Sequence, residues 1–326
     1  MVIKYKSDKG LTLIEILIGI IVSSVMMLAI YTTYSIINTT YGQVVDKASI
    51  SKSSRDLIEI LIKDIRMSGF KYYHGENDKG YPKDTYLDVK GGDVSIAETH
   101  DPIVIESDKL GYLRPGDTES DQERKEKIKN NAEKDVCCDR IHIVYDDFDQ
   151  NDEYQPYKRY KFTYYAKARF SEENESTDGQ TTTTRINPRY AIYKSKASWI
   201  QKRTSTTGNF PTTGEWDYNC FECYHDQLIR DYVEDMEFIA LDKDGKKLTP
   251  HPTSITNEGR DNLYKIRAVD IRISFRSKKE FFRFNPTTGK ERKLFGFSRN
   301  ARTFNDRYLR DSVVVTVFTR NIYDGK

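Results

Sequence analysis

Histidine is scarce, with five in 326 residues, and the acidic, basic and nucleophilic side chains form no H-E-x-x-H, no P-loop and no nucleophile constellation. Nothing in the chain therefore points to an enzyme or calls for a cofactor. Charge of one sign is missing too: 52 Lys and Arg stand against 50 Asp and Glu, a net +2. Bulk charge thus singles out no partner, nucleic acid included. Proline is absent before Pro82, so nothing forces a break in the first quarter of the chain. Apolar runs are absent almost everywhere, and much of the 37% hydrophobic content sits in one place.

That place is residues 10–37, GLTLIEILIGIIVSSVMMLAIYTTYSII. From Leu11 to Ile30 the only ionisable residue is Glu15. Twenty helical residues rise about 30 Å, the thickness of a bilayer's hydrocarbon core. A carboxylate inside that span costs on the order of 2.5–3.5 kcal/mol, which makes Glu15 a functional candidate. Ahead lies a short basic leader with Lys4, Lys6 and Lys9 against Asp8. A secretory signal would be cut after its apolar segment. Here the small residue, Gly10, precedes it, so cleavage there would keep the helix and create an amine at Leu11.

G-LTLIE followed by an apolar run resembles the class III leader of type IV prepilins, usually G-FTLIE. The resemblance implies that a prepilin peptidase cuts after Gly10 and methylates Leu11. It also implies that Glu15 pairs with the N-terminal amine of a neighbouring subunit in the filament. A paired cation would stabilise a buried carboxylate.

The helical pattern continues beyond the apolar run. Ile50, Ser54, Leu57, Leu61 and Ile65 recur at spacings of three and four, one apolar stripe. Asp56, Glu59, Lys63, Asp64 and Arg66 are expected on other faces, and Gly69 is the expected stop. Leu11 to Met67 would span about 85 Å as one helix. The string SSRDLIEILIKDIRMSGF, residues 53–70, resembles a segment of PilW-type minor pilins and, more loosely, of J-class pseudopilins of type II secretion.

After Lys71 short strands and turns are expected. Alternation marks Ile141, Ile143 and Tyr145, then Tyr160, Phe162, Tyr164 and Ala166, with residues 189–197 as a hairpin partner. Polar loops are expected at 117–135, 171–188 and 202–215. Residues 228–241 lead into a strand at Met236–Leu241. Val269, Ile271, Ile273 and Phe275 alternate with Asp270, Arg272, Ser274 and Arg276, a half-buried strand with a basic outer face. Val313–Phe318 is apolar on both faces, which predicts a central strand. The order of these C-terminal segments also resembles PilW-type minor pilins.

Four cysteines form two clusters, Cys137–Cys138 and the C-F-E-C of Cys220 and Cys223. A disulfide between the clusters is the expectation; zinc, and separately paired or free thiols, are the alternatives. D-K-D-G at Asp242–Gly245 reads as a β-turn, because Thr253 stands where a calcium loop needs its glutamate. Phe281, Phe282, Phe284, Phe295 and Phe297 among Lys279, Arg283 and Lys293 have the look of a single-strand nucleic-acid binder, but acids are interspersed and the chain is nearly neutral, which disfavours that reading.

The expected architecture is α+β and pilin-like. A leader (1–10) precedes a helix with a transmembrane half (11–37) and an amphipathic half (38–69), packed on an antiparallel, strand-rich head (70–326). The resemblance implies a minor pilin that initiates or caps a type IV pilus near its tip. It would sit first in the inner membrane with a periplasmic head, then in the extracellular pilus with other minor pilins and the major pilin. A J-type pseudopilin is the alternative, and a membrane-anchored adhesin or DNA-binding head a second. No metal or cofactor is expected.

Overall fold

The computed structural model describes residues 12–70, 101–107, 137–148, 157–177, 181–202, 213–252, 257–280, 292–297, 302–304 and 308–322. The leader residues 1–10, with Leu11, and the loop at 117–135 fall outside them. The chain forms two units, Met1–Ser49 and Ile50–Lys326.

Helix α1, Leu13–Met67, belongs to both. Within the second unit its stripe of Ile50, Ser54, Leu57, Leu61 and Ile65 is buried, as the 3.6-residue period requires. Asp56, Glu59, Lys63 and Arg66 are exposed. Asp64 is a correction: it is buried beside Ile65, on the sheet side rather than in water, because the sheet supplies it with partners. The helix stops at Gly69, whose φ of +74° is left-handed and suits a residue without a side chain. A Cβ there would meet the Asn321 carbonyl oxygen at 3.1 Å. Gly69 N–H donates to Val144 O at 2.8 Å. The Asn321 side-chain amide donates to Arg66 O at 3.0 Å, satisfying a carbonyl the helix end would otherwise leave open.

The strands are β1 Ile103–Glu106, β2 Arg140–Phe148, β3 Tyr157–Thr177, β4 Thr181–Lys202, β5 Thr213–Asp217, β6 Tyr224–Leu241, β7 Ala268–Glu280, β8 Arg292–Leu294, β9 Arg302–Phe304 and β10 Tyr308–Phe318, with a short helix α2 at Asn257–Leu263. Among the described residues, eight build one antiparallel sheet in the order β1-β2-β3-β4-β6-β7-β10, with β5 also on β4. The remaining two, β8 and β9, pair separately. Ile141, Ile143, Tyr145, Tyr160, Phe162, Tyr164, Ile271, Ile273 and Phe275 join Leu57, Leu61 and Ile65 in one core. This is a long apolar N-terminal helix followed by a strand-rich head, the α+β class expected.

Four further expectations are corrected. Residues 171–177 and 181–188 are strand, not loop: β3 and β4 stay paired out to Thr177 and Thr181. The threonine run is β-branched and favours strands without being apolar. The ends of the 202–215 loop are strand as well, Lys202 in β4 and Thr213 to Glu215 in β5. Val313–Phe318 is an edge: β10 has β7 as its one strand partner among the described residues, and Val314 is 56% exposed. The central position belongs to β4, buried on both faces from Tyr190 to Ser198. The basic outer face of β7 is covered, not solvated. Arg272 and Arg276 are buried against Glu237 (3.0 Å) and Glu234 (3.6 Å), while Arg310 lies 3.8 Å over Phe304 of β9. The D-K-D-G stretch is a turn as expected. Gly245 has φ +74°, and the Asp242 carboxylate accepts from the N–H groups of Asp244 and Lys246.

Candidate functional site

The start of α1 follows from four residues, T-L-I-E. Thr12 and Glu15 stand three apart ahead of an apolar run, the spacing of a capping box. Thr12 N–H and Thr12 Oγ1 both donate to Glu15 Oε2, at 2.9 and 2.8 Å. The return bond from Glu15 N–H to Thr12 Oγ1 is 3.4 Å. Sequence reasoning assigned Glu15 to assembly and overlooked this local role, which the T-x-x-E signature carries. Both bonds that Thr12 donates fall on Oε2, so among the described residues Oε1 keeps its lone pairs for a further donor. Glu15 is exposed. Gly10 and Leu11 lie outside the described residues.

The helix above Glu15 is apolar all round. Its most apolar 18-residue window has a mean hydropathy of 2.6 and none of it is buried; Leu13, Ile20 and Met27 are 81%, 62% and 75% exposed. Such a surface belongs in lipid or against other apolar helices. Its hydroxyls are satisfied within the helix: Ser23 Oγ donates to Gly19 O and Ser24 Oγ to Ile20 O, both at 2.6 Å. These groups therefore enter an apolar medium without an orphan donor. A Cβ built on Gly19 meets nothing within 4 Å, leaving room for another backbone to approach.

Two polar clusters in the head were not foreseen as groups. In the first, the buried Asp64 carboxylate accepts Tyr145 OH at 2.9 Å and Tyr164 OH at 2.5 Å, and pairs with Lys194 Nζ at 2.6 Å. Burial first, then the Asp64 charge, pushes both phenols well up, so they stay donors. Burial pulls Lys194 down, against the opposing pull of Asp64. Lys194 also lies 4.6 Å over Phe162, which stacks on Tyr145. The cluster fastens α1 to β2, β3 and β4.

In the second, Asp226 accepts Tyr165 OH and Lys167 Nζ, the latter at 2.7 Å, and lies 3.1 Å from His225 Nδ1. Burial raises its carboxyl, but hydrogen bonds from His225, Lys167 and Tyr165 outweigh that and hold it well below the usual range. Ser195 Oγ bonds Tyr165 OH at 3.0 Å and receives Asp226 N–H at 3.2 Å. Serine, histidine and aspartate meet here, yet Ser195 is buried and engaged with tyrosine and backbone, so the grouping braces the sheet. His142, near the first cysteine pair in sequence, has its Nδ1 2.9 Å from Thr163 Oγ1.

The cysteines pair within their clusters, Cys137–Cys138 and Cys220–Cys223, and the expected bond between clusters is corrected. Asp139 N–H donates to Met236 O, and the Asp139 carboxylate accepts Phe238 N–H, which pins the first cluster to the far end of β6. The second precedes Tyr224 at its near end. The twelve residues between Cys223 and Met236 amount to roughly 40 Å of strand. Asp235 lies beside Cys137 and Cys138, but a metal needs thiolates and these sulfurs are bonded to each other.

Residues 5–31 match the family model for the prokaryotic N-terminal methylation motif. No curated protein and no solved structure matches the chain. The motif indicates a type IV pilin- or pseudopilin-like N-terminus, implies processing by a prepilin peptidase, and points to a structural rather than a catalytic protein.

Proposed function

We propose that this chain is a minor pilin of the PilW type that helps to initiate or cap a type IV pilus. In this reading the head faces the periplasm while α1 is held in the inner membrane. The peptidase cuts after Gly10, Leu11 is methylated, and its amine pairs with Glu15 of the neighbouring subunit. The observation that carries the reading is the methylation motif at residues 5–31, running into a helix whose apolar surface is uncovered. Glu15 at its start keeps Oε1 for an incoming amine, while Thr12 holds the carboxylate in place. Retention of Glu15 favours a position just below the tip, since a subunit at the tip has no neighbour above whose amine must be matched. The partners are the other minor pilins and the major pilin.

The 53–70 string keeps a second reading alongside, a J-type pseudopilin. Deleting the gene separates them: loss of pili supports the first, loss of a secreted protein with pili intact supports the second. Intact-mass analysis is the sharper test of both. A mature chain beginning at a methylated Leu11 is expected, and one still beginning at Met1 would sink them together and leave a plain membrane-anchored head. Glu15→Ala is expected to leave membrane insertion and cleavage intact and to prevent recovery with partner subunits. Normal piliation by that variant would remove the pairing role.

A further inference from the structure

Phe221 is 87% exposed at the apex of a four-residue turn that the Cys220–Cys223 disulfide closes. Cys223 N–H donates to Cys220 O at 2.9 Å, and Glu222 pairs with Lys196 Nζ at 2.9 Å. Lys196 is itself buried, its Nζ 4.0 Å over the Tyr160 ring. A lone exposed apolar side chain is ordinary. One on a covalently closed turn anchored to the core is different, because its backbone has little freedom left to lose when it docks. Asp217 and Glu222 flank it, which disfavours an anionic lipid surface or a nucleic acid as its target.

A surface of complementary chemistry lies on the same chain. Ile62 and Met67 floor an open groove of about 380 Å³, rimmed by Lys63, Arg66, Arg320 and Glu59. None of the three cations has a carboxylate partner among the described residues. Three cations against one acid around an apolar floor suit an aromatic ring flanked by carboxylates.

We propose that Phe221 of one copy seats in the Ile62–Met67 groove of a second copy, with the acidic flank of the turn toward the Lys63, Arg66 and Arg320 rim. The contact joins two different surfaces, so it either closes as a reciprocal pair or leaves one turn and one groove open for further copies. It concerns the head alone and does not depend on the pilin reading.

The test uses the full chain in detergent micelles, Phe221 replaced by the photo-crosslinker p-benzoylphenylalanine, with light and ¹⁵N-labelled copies mixed. Irradiation is expected to give mixed-label peptides joining position 221 to Ile62 or Met67. Lys63→Glu/Arg66→Glu should cut their yield at least fivefold, and Arg320→Glu, outside the helix, should also lower it. Lys52→Glu should leave it unchanged. Cross-links confined to one copy, landing on residues 13–37, or unaffected by both rim variants would overturn the proposal. Failure of cleavage at Gly10 would overturn the pilin reading and leave this outcome untouched.

Discussion

Replacing Asp64 by alanine tests how the helix is fastened to the sheet. The substitution strands the Lys194 ammonium where Asp64 now sits 2.6 Å away, and it deprives Tyr145 and Tyr164 of their acceptor. Breaking a buried pair by removing one member costs about 3–5 kcal/mol. An unsatisfied buried hydroxyl costs about 1–3 kcal/mol. The three losses share one site and are not additive, and Lys194, already pulled down by burial, can shed its proton to relieve part of the first. A net loss of about 5 kcal/mol is expected, a large share of the roughly 5–15 kcal/mol that holds a domain folded. For a unit of this size the melting midpoint should fall by roughly 10–20 °C. The assay is thermal unfolding of the full chain in detergent, followed by near-UV circular dichroism, which reads chiefly the packed tyrosines of the head, since the tyrosines of the apolar half of α1, Tyr31 and Tyr34, are exposed. Asp64→Leu/Lys194→Met removes both charges together and should melt above Asp64→Ala. A shift of less than about 1 kcal/mol for Asp64→Ala, or a double variant no better than the single, would show that the cluster does not fasten the helix.

Lys161, pulled down to about 8 by burial, binds its proton less readily in the folded head than in the unfolded chain. Its penalty is therefore full below pH 8 and lifts as pH rises toward 10.4, so stability should climb in that window by at most about 3 kcal/mol. Lys161→Met should flatten the climb in pH-dependent urea melts and be the more stable protein at pH 7. Gly69→Ala forces a side chain into a left-handed residue and toward Asn321; a cost of about 1–3 kcal/mol by urea unfolding is expected, and no cost would mean that the helix does not end as described. Non-reducing peptide mapping should recover Cys220 joined to Cys223, with no peptide linking the two clusters. Cys220→Ser/Cys223→Ser should cost about 2 kcal/mol, since the closed loop is short.

Local chemistry was legible in the sequence wherever one residue pattern decides the outcome. The 3.6-residue stripe of α1, Gly69 as its end, the alternation in β2, β3 and β7 and the Asp242–Gly245 turn all follow from periodicity or from a required φ. What depends on distant partners was not legible. Asp64 reads as a surface acid until Lys194, 130 residues later, and two tyrosines close over it. Val313–Phe318 reads as central because apolarity on two faces does not reveal which strand pairs on each side. The cysteine pairing turned on the length of β6, which places the clusters at opposite ends of one strand. At the N-terminus, T-x-x-E lies inside the methylation motif and is at the same time a helix-cap signature, which the resemblance to prepilins leaves unseen.

The bond from the Asn321 side chain to the carbonyl of Arg66 spans 255 positions of sequence. A ribosome adding about 5–20 residues per second needs roughly 13–50 s to make the residue that closes the end of a helix already synthesised. The apolar half of α1 emerges first and can enter the bilayer at once, whereas the head waits for its last strand. Late in that interval β7, once made, still lacks β10, and until its end the Arg66 carbonyl must be satisfied by water. The order of synthesis thus separates anchoring from head closure in time, and a stalled or C-terminally clipped chain would be an anchored protein with an unfinished head, open to proteolysis before it meets any partner.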